Sequence, residues 1–424
     1  MTDRRAGSAV VGLGRRQAVP LAFGSIAGSG ILFLPSAVYA EAGSNSLLVW
    51  LEATIICLPM LLMFEDMVRA NPDGDGIEAF VRSGLGTVFG RCVPVMYLSL
   101  VIVGLPAGAI VAGRYVARAT GTGPAVAVGA AAAVLVAAVA SNLAGVRTSA
   151  RVQSAGTWAL VAMAAVLIVA AIPGMSDGLA DAATPDLSSA GVLLPGVVLA
   201  FWAFAGFENL TFLSREFRDP RRDFLPVSGA ALAIYGVFTI LLTLAIAVRI
   251  ARDDVDEVTG LLQLAQTVEP RRVVVLAVTV IAFGAMVLNA VAWVWGVSRL
   301  VQGAAAGGSL PEGLAAAGGS GVPRRAIALL SGLFAAVGTI LAVFPGVIVD
   351  AVATASAIFI LLYGLSIVSY ARVRGPTARS VLNLLLLVVL GASLLQSGWR
   401  SVYAVVVLAV TLAVQLVRQR RLRR

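Results

Sequence analysis

Two stretches of the sequence hold groups that could do chemistry, and both lie inside apolar runs. Glu208 stands in Ala200-Phe201-Trp202-Ala203-Phe204-Ala205-Gly206-Phe207-Glu208-Asn209-Leu210. A carboxylate in the middle of a membrane crossing costs a few kcal/mol, so it must face a cavity, be paired, or carry a proton. The chemistry open to it is proton exchange; the alternative is a packing acid tied to a backbone gap. The other stretch, Gly24-Ser25-Ile26-Ala27-Gly28-Ser29-Gly30-Ile31, has no titratable side chain. What it offers is backbone. Three glycines in seven positions interrupt a helix, and each N–H or C=O freed in hydrocarbon costs several kcal/mol unless something polar fills the gap. A bound solute would do so; close helix packing through small residues is the other reading.

The elements that must position these groups are membrane helices. With 424 residues, 59% hydrophobic and 12% charged, the chain is too apolar for a water-soluble domain. Runs of spanning length fall at 17–39, 46–68, 92–117, 124–142, 152–173, 191–214, 225–249, 272–301, 325–343, 346–371, 379–397 and 401–417. Twelve crossings put both termini on one side, and the arginines make that side cytoplasmic, with Arg114, Arg118, Arg249, Arg252, Arg271, Arg272 and Arg400 as exceptions. All 31 basic residues are Arg, placed in the gaps between runs, which reads as topology and not as a nucleic-acid surface. Residues 1–16 read as a cytoplasmic tail, not a cleaved signal peptide, and 418–424 as a second tail. The absence of His removes a His-ligated metal and most hydrolase mechanisms, and Cys57 and Cys92 sit in apolar runs unsuited to a disulfide framework. No cofactor is expected.

Two connections carry more detail. Residues 71–91 repeat glycine around Ile77, Phe80, Val81 and Leu85, the pattern of a short amphipathic helix at the cytoplasmic face. Residues 303–322, rich in Gly and Ala, read as a flexible connection with a short helix in it. The acids other than Glu208 lie near run ends: Glu65 and Asp66 beside Arg69 at an interface, Glu52 and Asp350 nearer the outer face.

Gly28 and Gly206 interrupt the first span of each candidate five-helix half, 17–173 and 191–371, with 379–417 left over. Such a pair points to an inverted-repeat transporter with its site at the midplane. The residues around both breaks, Gly28-Ser29-Gly30-Ile31 and Trp202-x-Phe204-x-Gly206-x-Glu208, resemble those of the amino acid/polyamine/organocation (APC) transporters. So does Glu216-Phe217-Arg218-Asp219-Pro220-x-Arg222. Asn45-Ser46-Leu47-x-x-Trp50, Val103-Gly104-Leu105-Pro106-Ala107 and Gly398-Trp399-Arg400-Ser401 resemble the family's bacterial methionine/branched-chain amino acid exporter subgroup.

The resemblance implies an all-α integral membrane protein with a five-plus-five inverted repeat (the LeuT-like, APC fold), broken helices 1 and 6, and two C-terminal helices. It implies alternating access around a neutral, mostly apolar amino acid such as methionine, leucine, isoleucine or valine. Freed N–H groups after the first break would take the carboxylate, and carbonyls near Ala203 to Gly206 the ammonium. Trp202 matches the position whose ring closes over substrate, and Trp293 resembles a pocket aromatic of the eighth span. The expected site is Ala27, Gly28, Ser29, Gly30, Ile31, Trp202, Phe204, Ala205, Gly206 and Trp293, with Glu208 as proton carrier. Members driven by protons can carry a lysine in the fifth span; this chain has none, and a sodium site built of carbonyls and hydroxyls stays open. The expectation is a secondary transporter of the cell membrane, in the lipid bilayer. A non-transporting amino-acid sensor, an uptake permease and an amino-acid/polyamine exchanger are the alternatives, and an enzyme is excluded for want of a catalytic constellation.

Overall fold

A computed structural model describes residues 13–27, 29–70, 76–145, 150–174, 184–204, 206, 210–211, 217–316 and 321–422. Among them there is no strand; the sole β feature is a bridge between Leu13 and Phe217. Ten helices are long and apolar enough to cross a membrane, counting Leu34–Ala70 once.

The run at 17–39 is not one helix. It consists of α1 (Arg15–Ile26), a 3-10 turn (Ser29–Leu32) and α2 (Leu34–Ala42). The interruption is local: Ala27 leaves the helix at ψ 84°, and Phe33 sits at φ −135°. Pro35 then restarts the helix in its first turn, where its missing N–H costs no helical bond. Gly43, at φ 57°, turns the chain into α3 (Ser46–Ala70) through a conformation that L side chains resist.

Helix α4 (Gly76–Leu85) is the amphipathic piece expected in the first connection; residues 71–75 lie outside the described residues. Ile77 and Val81 are buried, Arg82 and Ser83 exposed. The first half closes with α5 (Thr87–Thr120), α6 (Pro124–Leu143) and α7 (Ala150–Ala171). In the run expected at 191–214, α8 (Leu193–Ala200) tightens into a 3-10 turn at Phe201–Phe204, and Leu210 and Thr211 are helical again; 205, 207–209 and 212–214 lie outside the described residues.

Asp219 caps α9 (Pro220–Ala247) by accepting from the Arg222 N–H, with Pro in the first turn. The loop that follows contains a helix the sequence reading missed, α10 (Gly260–Ala265). Then come α11 (Arg271–Ala306), α12 (Arg324–Val343), α13 (Ile348–Arg374), α14 (Ala378–Gln396) and α15 (Trp399–Leu422). Past the end of α11, the described residues of the Gly/Ala-rich connection hold a 3-10 turn at Glu312–Leu314; 317–320 lie outside them. Side chains tether it: Gln302 and Arg325 donate to the carbonyls of Ala315 and Gly313, and Gln415 to that of Ser309.

Burial orders the bundle. In α5 and α13, 72% of the apolar window is buried inside the protein, against 28% in α6, α7, α12 and α14 and 22% in α15. The first two form the frame, and the rest turn apolar surface to lipid. α5 packs on α6, α11 and α13, whereas α9 packs on α1 and α3.

Candidate functional site

The two interruptions touch. A Cβ at Gly30 would lie 3.0 Å from the Leu34 Cδ1 and 3.3 Å from the Ala203 Cα, so glycine lets the first 3-10 turn rest on the backbone of the second. Two residues past that turn, Gly206 is buried at φ 99°, a conformation that stops a helix and suits glycine alone. Ala27 and Ile31 are buried beside the contact, and Ser29 opens the first turn. Gly28, Ala205 and Glu208 lie outside the described residues.

Aromatic rings clamp the second turn from both sides. Toward α5 and α13, the Trp202 ring meets Phe359 edge-on at 6.1 Å and Phe201 meets Tyr363 at 5.6 Å. Phe359 stacks on Tyr363 at 6.2 Å and takes the edge of Tyr97 at 6.0 Å. Toward α3 and α9, Phe204 meets Tyr235 at 5.5 Å and Trp50 at 6.5 Å. Each such pair adds about 0.5–1.5 kcal/mol to the burial of its rings, so the turn is held although its backbone has left the helix. Phe204 is fully buried between α3 and α9, and Trp202 partly exposed. Trp293 is half-buried on α11, and the ring pairs described around the breaks do not include it.

Sequence reasoning missed Tyr97, Tyr235, Phe359 and Tyr363; the only signal was an aromatic in mid-run. The Tyr235 hydroxyl and the Trp50 indole N–H are both fully buried, on either side of Phe204, and neither has a partner among the described residues. Leaving such a group unpaired costs about 1–3 kcal/mol, the usual mark of a place kept polar for a purpose.

Charged contacts hold the far ends of the first interrupted helix. At the arginine-rich end the Arg15 guanidinium reaches the Asp223 carboxylate at 2.7 Å. At the other end Arg400 bridges Glu41 on α2 and Asp350 on α13, both at 2.7 Å. Arg252 donates to the carbonyls of Ala40 and Glu41, and the Ser36 hydroxyl to that of Glu257 at 3.0 Å. Burial raises the Glu257 carboxyl above its ordinary range, as do the like charges of Asp350, Asp256 and Glu41, while Arg114 opposes them. Asp350, expected nearer the outer face, is thus paired with Arg400. Glu65, expected at an interface, is 2% exposed and takes Arg379 at 2.8 Å besides Arg69, while Asp66 takes Arg379 and the Tyr370 hydroxyl.

A family model for amino acid permeases matches residues 13–417, nearly the whole chain. The chain belongs to the amino acid permease family. The family is one of transporters, not enzymes, and the ten long apolar helices fit a multi-pass membrane protein. Among curated relatives, it is 27% identical over 218 residues to the L-methionine/branched-chain amino acid exporter of Escherichia coli, covering 50% of each chain. It is 25% identical over 228 residues to an uncharacterized amino acid permease of Bacillus subtilis, 53% of each. An uncharacterized transporter of Mycobacterium bovis is 28% identical over 236 residues, 54% of this chain and 51% of that one. The chain spans about half the length of the curated relatives it matches.

Proposed function

We propose that this permease moves a neutral, mostly apolar amino acid, of the methionine, leucine, isoleucine and valine class, across the cytoplasmic membrane by proton-coupled alternating access. The observation that carries the reading is the contact of Gly30 with Ala203. Two stretches of irregular backbone at membrane depth survive only where they are buried in protein or line a cavity, and here the two face each other. Backbone N–H groups of Gly28 to Gly30 would hold the carboxylate, carbonyls of Ala203 to Gly206 the ammonium, and Ile31 and Trp202 the apolar side chain. The name of the Escherichia coli relative favours the same substrates and the outward direction.

Under this reading α1 with α2, and α8 with the residues after it, are the interrupted first and sixth of twelve crossings. The packing supports two related halves. The pairs α3 with α9 and α5 with α11 would each join equivalent helices; α6 on α11 has its counterpart in α12 on α5, and α7 on α11 in α13 on α5. The distribution of arginine favours cytoplasmic termini.

Glu208, two residues past the Gly206 bend, is the proposed proton carrier, since a carboxyl alternately dried and wetted changes its proton affinity with access. The experiment is flux of labelled amino acids in proteoliposomes under imposed proton or sodium gradients. Leucine and methionine should be preferred to arginine, with net flux following the proton gradient. Glu208→Gln should keep leucine exchange and lose that response; a variant that still follows the gradient like wild type would remove Glu208 as the coupling group.

A further inference from the structure

We propose that Gly104 of α5 is the seat on which Trp202 closes the substrate site, making a residue remote from both breaks a positioning residue for transport. A Cβ at Gly104 would lie 2.9 Å from the Trp202 Cζ3, 3.0 Å from Cζ2 and closer still to Cη2. These three atoms form the outer edge of a rigid ring, so no small torsion clears a methyl group there. The backbone does not demand glycine at this place: Gly104 lies inside a continuous helix and is not among the residues with positive φ. Glycine weakens a helix interior, so its use here answers to what approaches it.

What approaches is the indole next to Ala203, on which Gly30 rests. Phe359, itself stacked on Tyr363, forms the wall of the slot. Floor and wall thus belong to α5 and α13, the most buried of the ten long apolar spans, while the ring belongs to a 3-10 turn. Movement of that turn relative to the frame lifts the ring from Gly104; its return covers the meeting point of the breaks.

The proposal rests on the reading of the breaks as an amino-acid site, and the test separates the two. Full-length wild type, Gly104→Ala, Trp202→Phe and the double variant are compared by deuterium uptake and by leucine exchange in proteoliposomes. Phenylalanine lacks the outer ring edge that a methyl at 104 would strike. In Gly104→Ala, uptake over 201–204 should rise while α11 keeps its protection, and leucine half-saturation should rise about tenfold, the effect of an overpacked contact. The double variant should return both values toward those of Trp202→Phe, a coupling that independent sites do not show. Unchanged uptake in Gly104→Ala, or a double variant no better than it, overturns the proposal. If Gly104→Ala alone yields no folded protein, recovery in the double variant supports the seat and failure to recover overturns it. Uptake that behaves as expected, with no wild-type response to leucine or methionine, leaves the seat standing and removes the amino-acid reading.

Discussion

The two breaks are made and held in different ways. The first is a matter of backbone, glycines and a restarting proline, and its half-helices are pinned at their far ends by Arg15 to Asp223 and Arg400 to Glu41, while Ser36 in the first turn of α2 donates to the Glu257 carbonyl. The second carries three aromatic side chains in one four-residue turn, Phe201 and Trp202 against rings of α13 and Phe204 against Trp50 of α3 and Tyr235 of α9. Charges at the ends of a half-helix answer to salt and pH, and at the first break itself the Tyr115 hydroxyl donates to the Leu32 carbonyl. Rings at the middle hold the turn itself and answer to neither. The division suits a site that must bind a polar backbone on one side and an apolar side chain on the other.

The largest effect should come where the breaks meet, because a change there acts on both. Gly30→Val places a branched side chain against the Ala203 backbone, which cannot give way as the Leu34 methyl can. An overpacking cost near 3 kcal/mol corresponds to roughly 100-fold in leucine half-saturation. Wild-type affinity in a calorimetric titration of this variant would separate the breaks functionally and sink the comparison.

A smaller effect belongs to the rings. Phe204→Leu keeps an apolar side chain but gives up the edge contact with Tyr235 and the tilted contact with Trp50, worth about 2 kcal/mol together. Thermal unfolding in detergent should shift down by several degrees, and the deficit should be the same in low and high salt. A deficit that salt removes would contradict the assignment of the second break to rings.

Both breaks were legible in the sequence because a break is local: Gly28, Gly30 and Gly206 announce it without reference to any partner. The amphipathic α4 was legible for the same reason, its apolar residues recurring at helical spacing. What holds the breaks was not. Trp202 was expected as the ring that closes over substrate, but Gly104 and Phe359, which that ring meets, lie on other helices, and nothing in a glycine mid-helix says which ring will lie on it. The pairing of Asp350 was not legible because its partner Arg400 stands 50 positions away, and Glu41 is 359 from the same arginine. Pairings at such separations are set by the assembled bundle, and single-sequence periodicity does not reach them.

Arg400 tests the charged side of the comparison. Arg400→Gln leaves Glu41 and Asp350 facing each other without their common cation, in surroundings about one-fifth exposed. Partial screening limits the cost to about 1 kcal/mol. The loss should narrow as salt is added, the reverse of the Phe204→Leu behaviour, and a salt-independent loss would assign Arg400 to packing instead.

The smallest effect concerns Glu257, whose main-chain carbonyl receives Ser36 while its carboxyl is crowded by Asp350, Asp256 and Glu41. Burial and these like charges raise its folded-state pKa above the unfolded value, so the folded protein holds the proton more tightly. Its contribution to stability is therefore fully present below the ordinary carboxylate range and is lost as pH rises through the raised value. Glu257→Gln removes the charge and leaves the main-chain carbonyl in place for Ser36. The variant should melt on the order of 1 °C above wild type at neutral pH, with the difference vanishing in acid, where wild type is protonated as well. Because α2 is the half-helix held by this end of the molecule, the same substitution should leave deuterium uptake over 201–204 unchanged. An equal shift at both pH values, or a change in the second break, would show that the two breaks are not held independently.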